Sequence, residues 1–522
     1  MSSRGSIGKG SDIDVDVKEK QVDTHVAVVT EEADTGAALV AGTSMEVDPQ
    51  EAARIRRKID WHIMPLMCIL YWVQFMDKTT LGSSVILGIK TSTHLTTSQY
   101  NWLGTIFYLS YLVFEYPQNL ALQRFPVGKW MSLNILTWAV ALCSHAACKS
   151  FAGLFVCRLI LGMCEGSITA GFMIVSSMFY TRKEQTLRVG YWFLMNGTAQ
   201  IIMGFISFGV LHAKTKSFKP WQWLMIITGT ITLITGVLYW FLFPDSPTNA
   251  WFLTREERVI AVQRIKDNQT GIENKHFKWD QFYEALRDPK TWLFALFSAF
   301  DNVPNSLTNQ QQIIMTAFGF TTLQTTLLGI VSGFVEISTI FTGVQLAARL
   351  PNARAYIGMV YFLPTIVGIM LVNLLPWHDK IGLLFGQWMT GISTTGFVLS
   401  LSWVSSVTAG HTKRVTTNAI MLIAYCVGNA AGPFMWQSKY LPRNHIPWLI
   451  IGICYACCMV LLLIIRFLLV WENKRRDAEP PDTTYDEVYV ELEVDGKRVE
   501  RKVEKSFLDL TDRQNRDYRY VL

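Results

Sequence analysis

Residues 153–166 read GLFVCRLILGMCEG, an apolar run that carries one arginine and one glutamate. An ionisable side chain near the centre of a bilayer costs about 2.5–3.5 kcal/mol on insertion scales, so it is a functional candidate. Arg158 and Glu165 are seven residues apart. Two helical turns therefore place them on nearly one face, about 10 Å apart along the axis. The run predicts a membrane-spanning helix with one charged face.

Eleven further apolar runs accompany this one, each about as long as the roughly 20 residues that cross a bilayer. Half of the 522 residues are hydrophobic and 17% are charged, against roughly 25% charged in soluble domains. The twelve runs begin near Trp61, Tyr100, Trp130, Gly153, Arg188, Trp221, Trp292, Leu323, Ala355, Ile381, Val415 and Ile446. We therefore predict an all-α membrane protein with twelve transmembrane helices in two six-helix halves.

Charged residues crowd into both ends of the chain and into its centre, which divides the sequence into five parts. Lys and Arg are about twice as frequent in the loops on one side, which predicts that both termini are cytoplasmic. The predicted parts are a disordered cytoplasmic N-terminal tail (1–55), an N-terminal six-helix bundle (56–244), a cytoplasmic linker (245–290), a C-terminal six-helix bundle (291–471) and a cytoplasmic C-terminal tail (472–522). This layout is typical of the major facilitator fold, in which two halves enclose a central site that opens alternately to each side.

The charged pair in the fourth run has two readings. Arg158 can hold a carboxylate through a two-pronged, charge-assisted contact, and Glu165 in a low-dielectric site can carry a proton. The alternative is a structural ion network that locks helices together. The spacing is too long for the two to neutralise each other, so each is expected to meet another partner.

Further ionisable residues lie in the first, second and eighth runs. Lys78 can attract an anion and Asp77 can take part in proton coupling, although snorkelling of Lys78 to the interface is equally consistent with its position. For Glu115 we expect a gating or structural contact, at the inner gate or with Arg124, and we read Glu336 similarly.

The seventh and eleventh runs are unusually polar and contain helix breakers. Pro304 lies between Asn302 and Asn305, and a proline frees a backbone carbonyl that then needs a partner. Interrupted polar helices of this kind usually line the substrate cavity and bend during gating, so Asn302 and Asn305 are candidates for substrate contact and Pro304 is a candidate for gating. In the eleventh run the candidates for substrate contact are Tyr425 and Asn429, and those for gating are Gly428, Gly432 and Pro433.

Several motifs are missing from the sequence. It has no Walker A loop for ATP-driven export, no catalytic constellation and no metal-ligand cluster. We expect no enzymatic activity, no metal, no cofactor other than protons as coupling ion, and no nucleic-acid partner. The expected partners are the lipid bilayer and a small organic anion, carried by a monomer.

Seven stretches together resemble the fungal anion:cation symporters of the major facilitator superfamily, and allantoate permeases in particular. They are PLMCILYWVQFMDKTT (65–80), RLILGMCEG (158–166), FYTRKEQTLRVGYWFLMNG (179–197), FPDSP (243–247), AYCVGNAAGP (424–433), ENKRRD (472–477) and DLTDRQNRDYRYVL (509–522). The resemblance implies proton-coupled uptake across the plasma membrane of an allantoate-like ureido acid, a nicotinate-like vitamin carboxylate or a dipeptide.

The resemblance also implies roles for individual residues. In related animal anion transporters an arginine and a glutamate seven residues apart serve the substrate and the proton, and Arg158 and Glu165 match them. Lys78 matches the basic position of the first helix. Asn302 and Asn305 lie where those relatives carry an arginine. Two other functions stay open from the sequence: proton-driven export of a metabolite or toxin, and nutrient sensing without transport.

Overall fold

The computed structural model describes residues 26–28, 48–212, 218–265, 277–440, 443–480, 488–494, 497–503 and 508–522. Most of the predicted N-terminal tail and the middle of the predicted linker lie outside these ranges.

The described residues form two helical halves joined by two short helices. The first half contains α1 (Pro49–Ile86), α2 (Ile89–Ser92), α3 (Thr97–Arg124), α4 (Val127–His145), α5 (Phe151–Phe179), α6 (Arg182–Phe193), α7 (Met195–His212) and α8 (Pro220–Leu242). The connecting helices are α9 (Arg255–Arg264) and α10 (Trp279–Arg287). The second half contains α11 (Pro289–Asn302), α12 (Leu307–Ala317), α13 (Thr322–Arg349), α14 (Arg354–Leu374), α15 (Lys380–Met389), α16 (Thr394–Ser406), α17 (His411–Ala431) and α18 (His445–Asp477).

Seven spans of the described residues are long and apolar enough to cross a membrane, judged by length and composition. They are Phe151–Phe179, Leu187–His212, Pro220–Leu242, Leu323–Arg349, Arg354–Leu374, His411–Met435 and His445–Asp477. The other long helices, such as α1 and α3, carry more polar residues among their apolar ones. The all-α membrane fold is confirmed, and the count of twelve spans stays a prediction.

Two parts of the predicted N-terminal tail lie within the described residues. Val26–Val28 forms β1, which pairs in parallel with β2 (Val488–Val494), and β2 pairs antiparallel with β3 (Lys497–Val503). The edge of β2 satisfies backbone hydrogen bonds of β1, and the disorder of the tail stays a prediction. In addition, α1 begins at Pro49, where the side chain of Asp48 accepts a hydrogen bond from the backbone N–H of Gln50.

Glycines set the closest helix contacts, both within a half and between the halves. A Cβ at Gly162 of α5 would lie 2.2 Å from the carbonyl oxygen of Phe107 in α3. Gly197 of α7 and Gly333 of α13 face each other across the two halves, where an added Cβ would lie 2.4 Å or 2.6 Å from the opposing carbonyl oxygen. Only glycine allows backbones to approach so closely.

A salt-bridge cluster connects the start of α1 to the linker helix α9. Glu257 accepts hydrogen bonds from Arg54 at 3.0 Å and from Lys58 at 2.6 Å. The hydrogen bond from Lys58, with that from the backbone of Thr254, lowers the pKa of Glu257 to about 2. This carboxylate therefore stays ionised and holds the linker against the first helix at neutral pH.

The last residues of the chain, 508–522, return to the C-terminal half and pack on it. Asp512 is fully buried and contacts the ammonium groups of Lys290 and Lys413, the latter at 2.8 Å. Arg476 at the end of α18 donates to the carbonyl oxygen of Tyr518 at 2.8 Å. This segment therefore ties α11, α17 and α18 together at one end of the bundle.

The charge of Asp512 makes this contact sensitive to pH. Burial alone would raise the pKa of Asp512, but the ammonium groups of Lys290 and Lys413 outweigh it and hold that pKa well below its usual value. A folded-state pKa below the unfolded value means that the unfolded chain binds the proton more readily. The stabilisation is therefore complete at neutral pH and is lost as the pH falls below about 4.

We predict that Asp512→Asn lowers the stability of the protein at pH 7 by about 3–5 kcal/mol, because it leaves buried lysines undercompensated. Thermal unfolding of the purified protein in detergent measures this change. The matched control is Asp280→Asn, since Asp280 is an exposed carboxylate on α10. Equal melting temperatures for the two variants at pH 7 would contradict the proposed role of Asp512.

Candidate functional site

A cavity lies between the two halves and is lined by residues of both; its empty space is about 960 Å³ when its open mouth is included. The N-terminal half contributes α1, α6 and α7, and the C-terminal half contributes α11 to α13 and α15 to α18. Its lining combines aromatic rings with amides, hydroxyls and three ionisable side chains, Lys78, Asp301 and Glu336. A site between helical halves with a few convergent polar groups is typical of small-molecule recognition.

Among the described residues that line this cavity, Lys78 of α1 is the cation. Its ammonium nitrogen lies 3.7 Å from Oε2 of Glu165, and its side chain is 14% exposed whereas that of Glu165 is fully buried. The same ammonium lies over the rings of Tyr111 and Tyr425, 5.8 Å and 5.9 Å from their centroids. Lys78 does not snorkel to a helix end but points into the interior.

Glu165 of α5 lies behind Lys78 and lines neither of the cavities described here. Within the described residues its carboxylate oxygens accept no hydrogen bond, and its close charged neighbour is Lys78. Gln74 donates to its backbone carbonyl at 3.4 Å. The cavity contents can therefore act on the carboxylate of Glu165 through the ammonium of Lys78.

Arg158 lines a second cavity, which borders the first and has about 500 Å³ of empty space when its opening is included. The walls of the two cavities have five residues in common: Phe75, Lys78, Asn305, Thr308 and Tyr425. Arg158 is 2% exposed, and its Nη2 donates to the hydroxyl of Thr80 at 3.4 Å. The expectation that Arg158 and Glu165 meet separate partners agrees with this geometry, because one faces Thr80 and the other faces Lys78.

Asp77 points away from both cavities, although it precedes Lys78. It is fully buried, and its Oδ2 accepts hydrogen bonds from Trp138 at 3.0 Å and from Thr232 at 2.7 Å. These contacts connect α1 to α4 and α8. Its role in proton coupling stays a prediction, and the structure gives it a packing contact within the N-terminal half.

Glu115 of α3 also lies outside both cavity walls. Its Oε1 accepts a hydrogen bond from Asn119 at 2.7 Å, one turn later in the same helix. A Cβ added at Gly166 would lie 3.3 Å from its Oε2. The carboxyl therefore packs between α3 and α5 with Asn119 as the partner of its Oε1, and the contact with the inner gate or with Arg124 stays a prediction.

The break between α11 and α12 places two asparagines beside the cavity. Pro304 begins a short 3-10 turn over Pro304–Ser306, because a proline cannot donate the backbone hydrogen bond that would continue the helix. Asn305 donates to Oδ1 of Asn429 at 2.7 Å, and Asn429 donates to Oδ1 of Asn302 at 3.2 Å. The three predicted amides thus form one hydrogen-bonded group, with Tyr425 one turn before Asn429.

Gly428 and Gly432 allow α17 to lie directly against α11. A Cβ would lie 2.3 Å from the carbonyl oxygen of Ala299 at Gly428, and 2.5 Å from that of Val303 at Gly432. Pro433 follows in a 3-10 turn and lines a small cavity beside Ser306. Their role in gating stays a prediction, and their present contacts hold the two helices together.

Several cavity residues were not singled out from the sequence. Asn196 and Gln200 come from α7, Gln387 from α15, and Asp301 precedes the predicted asparagines. Gln200 donates to Oε2 of Glu336 at 2.5 Å, a hydrogen bond between the two halves. The spacing of Asn196 and Gln200, four residues apart in an apolar run, was the available signal for one polar helix face.

Comparison with known proteins identifies relatives over most of the chain. Residues 67–433 match the family model of the Major Facilitator Superfamily. The thiamine pathway transporter THI73 of Saccharomyces cerevisiae is 35% identical, with 90% of this chain and 86% of that protein covered. The allantoate permease of the same yeast is 34% identical, with 92% of this chain and 88% of that protein covered.

Solved structures show the same fold at low sequence identity. The proton:xylose symporter XylE, bound to 6-bromo-6-deoxy-D-glucose, superposes with a TM-score of 0.60 at 11% identity. The match covers 87% of this chain and 98% of that chain. This likeness concerns the fold alone.

We predict that Gly428→Ala destabilises the bundle by about 1–3 kcal/mol, because the new methyl group would clash with the carbonyl of Ala299. Thermal unfolding in detergent measures the loss. The control is Gly209→Ala, where a Cβ would meet nothing within 4 Å. A Gly428→Ala protein as stable as the Gly209→Ala protein would show that the two helices separate freely at this point.

Proposed function

The chain belongs to the major facilitator superfamily and is a multi-pass membrane transporter, and we propose that it takes up a small organic anion together with protons. The observation that carries this proposal is the position of Lys78. Its ammonium faces a cavity between the halves and at the same time contacts the buried carboxylate of Glu165.

Lys78 can pair with one anion at a time at this position. When Glu165 is ionised, it neutralises Lys78 and competes with a substrate carboxylate for the ammonium. When Glu165 takes up a proton, the ion pair is lost, and an unpaired cation in a low-dielectric site attracts an anion strongly. Binding of the proton and of the substrate anion therefore favour each other.

This competition provides the coupling that symport requires. The loaded cavity contains one proton on Glu165 and one carboxylate on Lys78, so a monocarboxylate moves without net charge. Alternating access of the two halves then releases the proton and the carboxylate on the other side. The empty transporter returns with Glu165 ionised and paired again with Lys78.

Other residues supply the remaining contacts in this proposal. Arg158 lines the neighbouring cavity and can bind an anionic substrate group with two hydrogen bonds. Asn302, Asn305 and Asn429 offer neutral donors and acceptors, and the ring of Tyr425 borders both cavities. No cofactor other than the coupling proton is part of the mechanism.

The proposed substrates are an allantoate-like ureido acid, a nicotinate-like vitamin carboxylate or a dipeptide. The relatives include an allantoate permease and, at 29% identity over 91% of this chain and 92% of its own length, a high affinity cysteine transporter, both from Saccharomyces cerevisiae. The names of both cargoes denote molecules with a carboxylate. We further propose that the protein acts as a monomer in the plasma membrane with both termini in the cytoplasm.

We predict that Glu165→Gln abolishes the dependence of uptake on a proton gradient. Glutamine cannot gain or lose a proton and leaves Lys78 permanently available to the anion, so substrate exchange is retained while gradient-driven accumulation is lost. The measurement is uptake of labelled allantoate into proteoliposomes with an alkaline interior, with and without a protonophore.

The control for this experiment is Glu256→Gln, because Glu256 is an exposed carboxylate on the linker helix α9. It should accumulate allantoate as the unmodified protein does. If Glu165→Gln still accumulates substrate in a pH gradient and loses it with protonophore, the proton is carried elsewhere and the coupling mechanism is wrong.

A further inference from the structure

The wall of the large cavity contributed mainly by the C-terminal half is rich in hydrogen-bond acceptors. It contains two carboxyl groups, Asp301 of α11 and Glu336 of α13, and the amide of Gln387 of α15. Asn196 of α7 adjoins them from the N-terminal half. We refer to these four residues as the acceptor wall.

The acceptor wall carries carboxyl groups that no cation described in the cavity neutralises. Among the described residues that line the cavity, Lys78 is the cation, and it already contacts Glu165. Neither Asp301 nor Glu336 forms an ion pair within the part of the chain that the structure describes. Both are more than nine-tenths buried, with 8% and 5% of their surface exposed. Two buried carboxyl groups thus face the cavity without a cationic partner.

Unpaired acceptor atoms accompany these carboxyl groups. Oδ1 of Asp301, Oε1 of Gln387 and Oδ1 of Asn196 are buried, and no donor among the described residues reaches them. Glu336 is better supplied, since Gln200 donates to it at 2.5 Å. Buried polar groups in folded proteins are nearly always hydrogen-bonded, so these acceptors are left for donors that the described residues do not supply.

The complementary ligand group is one with several N–H donors. An ammonium group or a ureido group supplies such donors, and two parallel N–H groups match the two oxygens of a carboxylate. The carboxylate end of the same molecule would lie at Lys78. An aromatic or aliphatic carboxylate without N–H groups would leave the acceptor wall unsatisfied on binding, which costs affinity.

We propose that Asp301, Glu336 and Gln387 determine substrate specificity by binding N–H donors at the end of the substrate opposite its carboxylate. This inference rests on the proposed function, because it takes Lys78 as the carboxylate site. Such a site prefers ureido acids and amino acids over carboxylates that carry no N–H group.

Three small probes of similar length test the inference. N-carbamoyl-β-alanine has a ureido end, 5-aminovalerate has an ammonium end, and monomethyl glutarate has an ester without N–H donors. Uptake of each labelled compound is measured in proteoliposomes with an alkaline interior. We expect at least one N–H compound to enter about tenfold or more faster than monomethyl glutarate at equal low concentration.

The variants Asp301→Asn and Glu336→Gln should each bring the ratio of uptake rates, N–H compound over monomethyl glutarate, closer to one. The ratio of two substrates in the same preparation does not depend on the yield of folded protein. Asp301→Asn removes no hydrogen bond at Oδ1, so it keeps the test available if Glu336→Gln fails to fold. The matched control is again Asp280→Asn on the exposed face of α10, which should retain the full preference.

The pattern across the probes separates the possible donors. If Glu336→Gln lowers the uptake rate of 5-aminovalerate more than that of N-carbamoyl-β-alanine, the wall binds an ammonium group. If it lowers both rates equally, the wall binds neutral N–H groups. Both outcomes support the inference.

Two other patterns overturn it. If monomethyl glutarate enters with protons as fast as the N–H compounds, the proposed function stands and the acceptor wall does not select substrate. The same holds if both variants change the pH dependence of uptake but keep the wild-type preference, because the carboxyl groups then carry protons only. Uptake of none of the three in a pH gradient would instead count against the proposed function itself, and the inference would fail with it.

Discussion

The contact between Lys78 and Glu165 is the interaction on which the central site depends. A lone ammonium or carboxylate at this depth would be very costly, and removing one member of a buried pair leaves the other uncompensated. The pair therefore makes a charged cavity possible in the middle of an apolar bundle. In the proposed function the pair also couples the two ligands, because a proton on Glu165 would leave Lys78 available to an anion.

Neutral groups fill much of the remaining site and explain its irregular helices. The turn at Pro304 lets Asn302 and Asn305 reach Asn429 on α17, and Gly428 brings α17 close enough for these bonds to form. Irregular backbone at membrane depth is tolerated where it lines a cavity or is buried in protein. The helix break, the amides and the glycine are thus parts of one arrangement.

Charges are used differently at the end of the bundle where the chain terminates. There Lys290, Lys413 and Asp512 form a dense cluster, and Arg476 binds the backbone of the final residues. Every member of this cluster has a close charged or polar partner, which suits a structural clamp. In the cavity, by contrast, acceptors such as Asp301 Oδ1 have no donor among the described residues, which suits a site that receives a ligand.

The helical membrane fold follows from the amino-acid sequence alone, because apolar runs of bilayer length and the scarcity of charge within them are local properties. The sequence also singled out Arg158 and Glu165, since a charge in lipid is costly whatever its partner. Three findings required the folded structure: Glu165 faces Lys78, Asp77 is held within the N-terminal half, and Glu336 lines the same cavity as Asp301. These outcomes depend on the rotation and tilt of helices far apart in the chain, which no local pattern of residues specifies.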